Sequence, residues 1–327
     1  MASTEPIPRR YDFHCQVDAY RHGWTLARFL THRFRYHPAR VWVERIAAGA
    51  VRINGLTAAP DSPLARGDRV EYTIIHAEPP VDFSYEILYE DEHVLAVAKS
   101  GNLPIHAGGK FIRNTLISRL RESWGDELRP AHRLDRETSG VVLLAKSREV
   151  AGALERQFRE RRVRKEYVAI VRGEAPLNLV VDAAIARLEP PRPPYRRVVS
   201  DGGRQAITRF ERLAVGRSRG VAPTPVSLLR VLPESGRTNQ IRVHAAHSGH
   251  PILGDKIYGV AEEVAIEFVE RGETEQVLAA AGAPRHLLHC LSLELRHPRG
   301  DGLLELRAAL PADFSECWSG PFPELDS

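Results

Sequence analysis

Pro130-Ala131-His132-Arg133-Leu134-Asp135-Arg136-Glu137-Thr138-Ser139-Gly140 runs directly into Val141-Val142-Leu143-Leu144-Ala145. The apolar run bounded by Gly140 and Lys146 has the length of a buried strand. The segment before it, with Pro130, Thr138, Ser139 and Gly140, is turn-forming. Asp135 therefore lies on a polar loop that enters a core strand, flanked by His132, Arg133 and Arg136. Loops held by rigid elements are where reactive side chains tend to be placed. Taken by itself, an aspartate among arginines at a strand entrance reads first as a local ion pair.

Downstream of this strand, Val150, Leu154 and Phe158 recur at helical spacing, and the charged run Arg159 to Lys165 closes that helix. Such a run is usually a solvated helix end, and beside RNA it would also meet the backbone. Lys165 to Val171 returns as a strand. Residues 186–204, rich in Pro and Arg, and residues 213–224 read as loops, and 260–284 reads as an insertion with helical stretches. Upstream, Ile87 to Lys99 reads as strand, acidic turn and strand, and Leu116, Leu120 and Trp124 mark an amphipathic helix.

Residues 1–18 read as an irregular lead-in. Leu26, Phe29 and Leu30 then share a helical face, Pro38 opens a second short helix over Ala39 to Ala48, and Asn54-Gly55 signals a tight hairpin. Ala77 to Ser84, with Pro79-Pro80, is the natural linker. Domains are expected at 1–76 and 85–315, joined by 77–84, with a tail at 316–327.

At 327 residues the chain is long enough for two domains. With 43% hydrophobic and 27% charged residues, its composition argues against wholesale disorder. No apolar run is long enough to span a bilayer, and Met1 to Arg10 lacks a secretory apolar region. Cys15, Cys290 and Cys317 are scattered, so neither a disulfide framework nor a thiolate zinc site is expected, and a reducing cytoplasm fits. The net charge of +4 suits an anionic partner, although with only five lysines the arginine excess equally fits GC-rich coding.

The run from His132 to Lys146 resembles the signature of RluA-type pseudouridine synthases. That resemblance implies that Asp135 is the catalytic residue. Lys165-Glu166-Tyr167 resembles the family's second motif, whose tyrosine lies in the active site and maps onto Tyr167. Ser235 to His244 resembles a third, in which Arg242 is the arginine expected to pair with the aspartate. His106, His132, Arg133, Arg136, Arg237 and Gln240 fall in matching blocks and are expected to contact substrate or RNA. The two helices and hairpin at the N-terminus resemble the S4 RNA-binding domain. Within residues 1–50 eight Arg stand against four Asp plus Glu, and Arg33, Arg35, Arg40 and Arg45 are expected to meet phosphates.

The resemblance covers roughly residues 84–310 plus the head. It implies an α+β fold, with a mixed, mostly antiparallel sheet in the catalytic domain and a small S4-like (αL) domain before it. Three positions depart from the pattern. Ser100 stands where the family usually has proline, Asn239 where it has histidine, and His37-Pro38 where the S4 domain often has serine. Asn keeps a donor and an acceptor but cannot take a charge.

Turning uridine into pseudouridine breaks an N–C glycosidic bond and rejoins the uracil through carbon. No redox cofactor or metal is required. An ionised carboxylate is needed at the nucleoside, and a neighbouring guanidinium opposes its protonation on burial. Tyr167 would stack on or hydrogen-bond the uracil. Reaching a stacked base means flipping it out, with Arg133 the candidate to fill the gap. The expected partner is structured RNA, ribosomal or transfer, acted on by a monomer.

Other readings fare less well. His244, His247 and His250 have the spacing of a helical metal face, but Gly249 and Pro251 break the helix before a third ligand aligns. His132 to Asp135 faintly echoes a kinase catalytic loop, with no glycine-rich phosphate loop to support it. A non-catalytic RNA-binding protein on a synthase scaffold is the alternative, supported by Ser100 and Asn239.

Overall fold

The computed structural model describes residues 7–34, 37–188, 193, 196–219, 223–320 and 322–323. They fall into two compact units, residues 1–80 with 108–112, and residues 81–107 with 113–327.

In the first unit, β1 (Arg9–Gln16), α1 (Leu26–Arg33), α2 (Ala39–Ala47), β2 (Val51–Ile53), β3 (Leu56–Thr57) and β4 (Arg69–His76) follow in order. The strands pair antiparallel in the order β1-β4-β2-β3. Strand β1 replaces the irregular lead-in expected there. Tyr11, Phe13 and Cys15 alternate with polar residues, the period of a strand half-buried against β4, where Phe13 faces Tyr72. The helices form where expected. The Thr25 hydroxyl accepts from the N–H of Arg28 to cap α1, and Pro38 precedes α2. Leu26, Phe29 and Leu30 pack with Trp42, Ile46, Val51 and Val70. Asn54 and Gly55 take φ of 51° and 82°, as the hairpin turn demands, and Asn54 accepts from the N–H of Arg69 at 2.8 Å.

The second unit begins with β5 (Tyr85–Glu90), β6 (Val94–Lys99), α3 (Leu116–Trp124), β7 (Arg129–Pro130), β8 (Ser139–Ala145), α4 (Arg148–Arg159) and β9 (Arg164–Arg172). Next come β10 (Asn178–Asp182), β11 (Ile185–Arg187), β12 (Arg197–Val199), β13 (Ile207–Ser218), β14 (Pro225–Pro233) and α5 (Gln240–His247). Last are α6 (Glu262–Arg271), α7 (Glu275–Ala281), β15 (Leu288–Arg296), β16 (Leu303–Arg307), α8 (Asp313–Glu316) and β17 (Trp318–Ser319).

The main sheet runs β10-β13-β14-β9-β15-β8-β6-β5, with β16 beside β15, β7 beside β8 and β17 beside β13. Its pairings are antiparallel except for β15 with β8, so the sheet is mixed and mostly antiparallel in an α+β fold. Strand β8 is buried along its whole length. It meets β15 only at Ser139 and Gly140, beyond which β16 takes over that edge of β15. Gly140 is required there. Its φ is +108°, and a Cβ would lie 2.1 Å from the carbonyl oxygen of Cys290.

Two segments read as loops are partly strand. Residues 213–218 extend β13, which runs through a bulge between Arg212 and Ala214 that breaks the simple alternation. Within 186–204, β11 and β12 pair as a two-stranded sheet. Near the C-terminus, Trp318 on β17 is buried against Gly216, so chain expected in the tail packs onto the sheet.

Candidate active site

The 131–138 loop between β7 and β8 is strapped from behind. Lys99, buried on β6, donates to the carbonyl of Arg136 at 3.1 Å, and Arg285 donates to the carbonyl of Glu137 at 2.8 Å. The Glu137 carboxylate accepts from Lys256 at 3.0 Å and from the N–H of His286 at 3.1 Å. Burial works against its charge, but His286, Lys256 and Arg136 hold it well below the usual carboxylate range. Thr138 pairs with the His286 ring at 2.8 Å. These buried groups are mutually satisfied, and such networks rigidify what they hold. They fix the turn closed by the Thr138 N–H on the Asp135 carbonyl at 3.1 Å.

Asp135 meets Arg242 from α5, 107 positions away, where Nη1 donates to Oδ2 at 2.9 Å. The rest of that guanidinium is clamped by Asp255, which accepts from Nε at 2.7 Å and from Nη2 at 2.8 Å. Asp255 has no solvent exposure and also accepts from the N–H groups of Ile257 and Tyr258 at 2.9 and 3.0 Å. Burial opposes the charge on both side chains of the clamp. Their attraction overcomes it, lowering the Asp255 pKa and raising that of Arg242.

Asn239, the residue before α5, takes the left-handed conformation with φ 57°, which asparagine tolerates better than most residues. With its amide oriented by the hydrogen-bond network, Nδ2 donates to Asp135 Oδ2 and Oδ1 at 3.0 and 3.2 Å and the oxygen accepts from the Tyr258 hydroxyl at 3.0 Å. The reverse orientation would set its carbonyl against the carboxylate. A neutral amide thus donates to the aspartate at the position where histidine was expected.

Asp135, Asn239 and Arg242 line a cavity of about 620 Å³, also bordered by Tyr167, Lys165, Arg133 and Arg237. Tyr167 is buried on β9, opposite Cys290 on β15. Burial, with Cys290 and Asp135 nearby, holds the phenol well above its ordinary pKa, so it stays neutral. Burial also pushes the Cys290 thiol up to about 12. Arg133 is exposed at the rim.

Other residues expected at the site have structural partners. His132 accepts from the N–H of Leu143 at 3.1 Å and stacks on Phe158, and burial pushes its pKa down to about 3. Gln240 accepts from Ser235 and the N–H of Arg237 and donates to Ile207 and Thr208, all within 3.0 Å. That uses all four positions of its amide and shapes the loop before α5. Arg136 turns to Glu137 and Glu273 at 2.7 and 3.4 Å. His106 is exposed, its pKa lowered by partial burial and by Arg133. In the first unit Arg33 and Arg40 are exposed and Arg45 lies over the Trp42 ring, while Arg35 lies outside the described residues. Of the histidines with metal-like spacing, His244 is engaged by Thr208 and the Ala183 carbonyl, and His250 by the Arg172 carbonyl.

Asp255 was not singled out from the sequence. Its signal was a lone acid closing Pro251-Ile252-Leu253-Gly254, a turn otherwise built for burial.

Residues 93–247 match a family model described as RNA pseudouridylate synthase. The ribosomal large subunit pseudouridine synthase D of Xanthomonas campestris is 34% identical over 84% of this chain and 82% of its own length. The mitochondrial tRNA pseudouridine(32) synthase of Saccharomyces cerevisiae is 33% identical over 69% of this chain and 48% of its own. Among solved structures, human RNA pseudouridylate synthase domain containing 1 superposes with a TM-score of 0.59 at 27% identity, covering 76% of this chain and 94% of that one.

Proposed function

We propose, for a chain that belongs to the RluA-type pseudouridine synthases and isomerises uridine to pseudouridine in RNA, that Asp135 is its catalytic carboxylate. Arg242 holds that carboxylate, and Tyr167 holds the uracil. The observation that carries this reading is the 2.9 Å ion pair between Arg242 and Asp135 on the cavity wall.

In the reaction the N1–C1′ bond breaks, the uracil turns, and a C5–C1′ bond forms. C5 loses its proton and N1 gains one, so substrate and product have the same atoms and no oxidant is needed. Among the described residues, Asp135 Oδ2 accepts from Arg242 and Asn239, whereas Oδ1 has only the longer Asn239 contact at 3.2 Å. Oδ1 is thus the oxygen offered to the nucleoside, as nucleophile or as base. The neutral Tyr167 ring supplies a stacking face and a restraint on the freed base. Arg133 at the rim fills the helix position vacated by the flipped nucleotide.

The helix pair and hairpin of the first unit are read as an S4-like RNA-binding domain, on the strength of its arginines and of the Asn54-Gly55 turn. Large-subunit ribosomal RNA is the first target to examine, because the ribosomal relative covers more of both chains than the transfer-RNA one. The chain is taken to act in the cytoplasm as a monomer, the first supported by its three free cysteines. No helix among the described residues is long and apolar enough to cross a membrane.

RNA carrying tritium at uridine C5 tests the chemistry, since forming the C5–C1′ bond releases that hydrogen to water. Wild type should release tritium, and Asp135→Asn should be slower by about 10²–10⁴-fold or more. Release by Asp135→Asn at the wild-type rate would overturn the assignment.

A further inference from the structure

The arginines of the 161–164 run and of the cavity wall are of two kinds. Arg162 pairs with Glu160 at 3.0 Å and Arg164 with Glu294 at 3.4 Å. Arg161, Arg204 and Arg237 all border the cavity, and among the described residues none of them has a carboxylate partner. Glu234, the carboxylate on the same wall, is turned to Arg209 at 2.7 Å. Arg237 instead donates from Nε to the carbonyl of Gln205 at 3.0 Å, which ties it to the segment bearing Arg204.

Arg161 is held there against its backbone preference. It follows the C-terminus of α4 with φ 59°, in a helix stop where glycine is the usual residue. Its N–H reaches the carbonyl of Phe158 at 3.2 Å, and that of Arg162 reaches Gln157 at 2.9 Å, completing the stop. Strained residues of this kind gather at ligand sites. The cluster also carries its own electrostatic cost. Arg237 has its pKa lowered by burial and then by Arg204 and Arg161. Deeper in, Lys165 is pushed down to about 8 by burial, with Arg161 and Arg237 adding to the effect. Like charges gathered without a protein counter-ion are relieved by a ligand that brings negative charge.

We infer that Arg161, Arg204 and Arg237 form a cradle for an RNA phosphodiester flanking the uridine that enters the Asp135 cavity. This rests on the reading of that cavity as the uridine site. Guanidinium forks match phosphate oxygens in pairs, and a cradle on one side of the cavity would seat the backbone while the base turns within it. A contact to RNA was expected of Arg237 from its motif and of the charged run that holds Arg161; Arg204, and the grouping of the three, come from the geometry.

The test uses the full chain carrying Asp135→Asn, so that binding is read without turnover. The probe is a labelled octauridylate, titrated from low to moderate salt. Arg161→Gly and Arg204→Gln should each weaken binding and make the dependence of log K on log salt shallower by about 0.7, the single-strand value for one phosphate contact. Arg161→Gly should melt at or above the parent temperature, since glycine relieves the left-handed residue, which separates lost contact from lost fold. An octamer with neutral methylphosphonate links should bind parent and variants alike.

Unchanged salt slopes in both variants would overturn the cradle. So would no binding of the charged octamer by the parent, or equal losses on the neutral one. Tritium release is scored separately on the chain with Asp135 intact. Shallower slopes with no tritium release would uphold the cradle and overturn the uridine chemistry.

Discussion

Asn239 shows how one residue can carry both a backbone and a chemical requirement. Its left-handed φ starts α5, and its amide donates to both oxygens of Asp135. Asn239→Gly keeps the first and deletes the second. kcat/KM should fall ~10- to 100-fold, following the ~1.5–3 kcal/mol of a hydrogen bond to a charged group, with the melting temperature close to wild type. An unchanged kcat/KM would remove Asn239 from the site. Arg242 is tied more deeply into the fold. Arg242→Met strands the buried Asp255 carboxylate and should cost on the order of 3–5 kcal/mol in denaturant unfolding. A loss under 1 kcal/mol would mean that Asp255 finds other partners. The sequence motif pointed to Asp135 and Arg242 as a pair. It was silent on Asp255, whose importance arises only when the turn after Gly254 folds beneath α5.

The strands are joined at their ends by polar contacts that alternation patterns do not announce. Asp91, in the turn between β5 and β6, accepts from the N–H groups of His93 and Val94 at 2.7 and 2.8 Å, from Tyr89 at 3.0 Å and from His297, just past β15, at 2.8 Å. Burial raises its pKa, but these donors overcome that and bring it from 3.8 to about 2. The folded pKa lies below the unfolded one. The contribution is therefore complete above about 3.8 and is lost as pH falls toward about 2. Asp91→Asn should be less stable than wild type at neutral pH, with the gap closing across that acid window. A gap independent of pH would show that the carboxylate charge is not what stabilises this corner. The same scale explains what was misread. Strand β13 crosses a bulge at Arg212, β1 hides its alternation among Asp12, His14 and Gln16, and β11 pairs with β12 inside a Pro- and Arg-rich stretch. The Asn54-Gly55 hairpin and β8 were legible because their signals are local.

Across the whole molecule, the proposed chemistry and phosphate cradle lie in the second unit, and a further RNA contact is proposed for the first. The S4-like reading of the first unit is tested by Arg33→Gln, Arg40→Gln and Arg45→Gln combined. If those side chains meet phosphates of duplex RNA, the salt dependence of binding should become shallower by up to about 2.7, roughly 0.9 per contact. KM for RNA should then rise by more than kcat falls. An unchanged salt slope would remove all three from the RNA contact. The mostly antiparallel sheet and the pairing of Asp135 with Arg242 across 107 positions were expected through the family resemblance, not from periodicity. Periodicity describes an element, whereas that contact depends on how β8, β15 and α5 pack.

The reading of Asp135 as the residue that makes pseudouridine is tested most directly by carbodiimide-based pseudouridine mapping of total RNA. A deletion strain is compared with strains restored with wild type or with Asp135→Ala. A stop that disappears in the deletion and returns with wild type alone is the expected result, and its position names the target. A stop restored equally by Asp135→Ala would contradict the assignment.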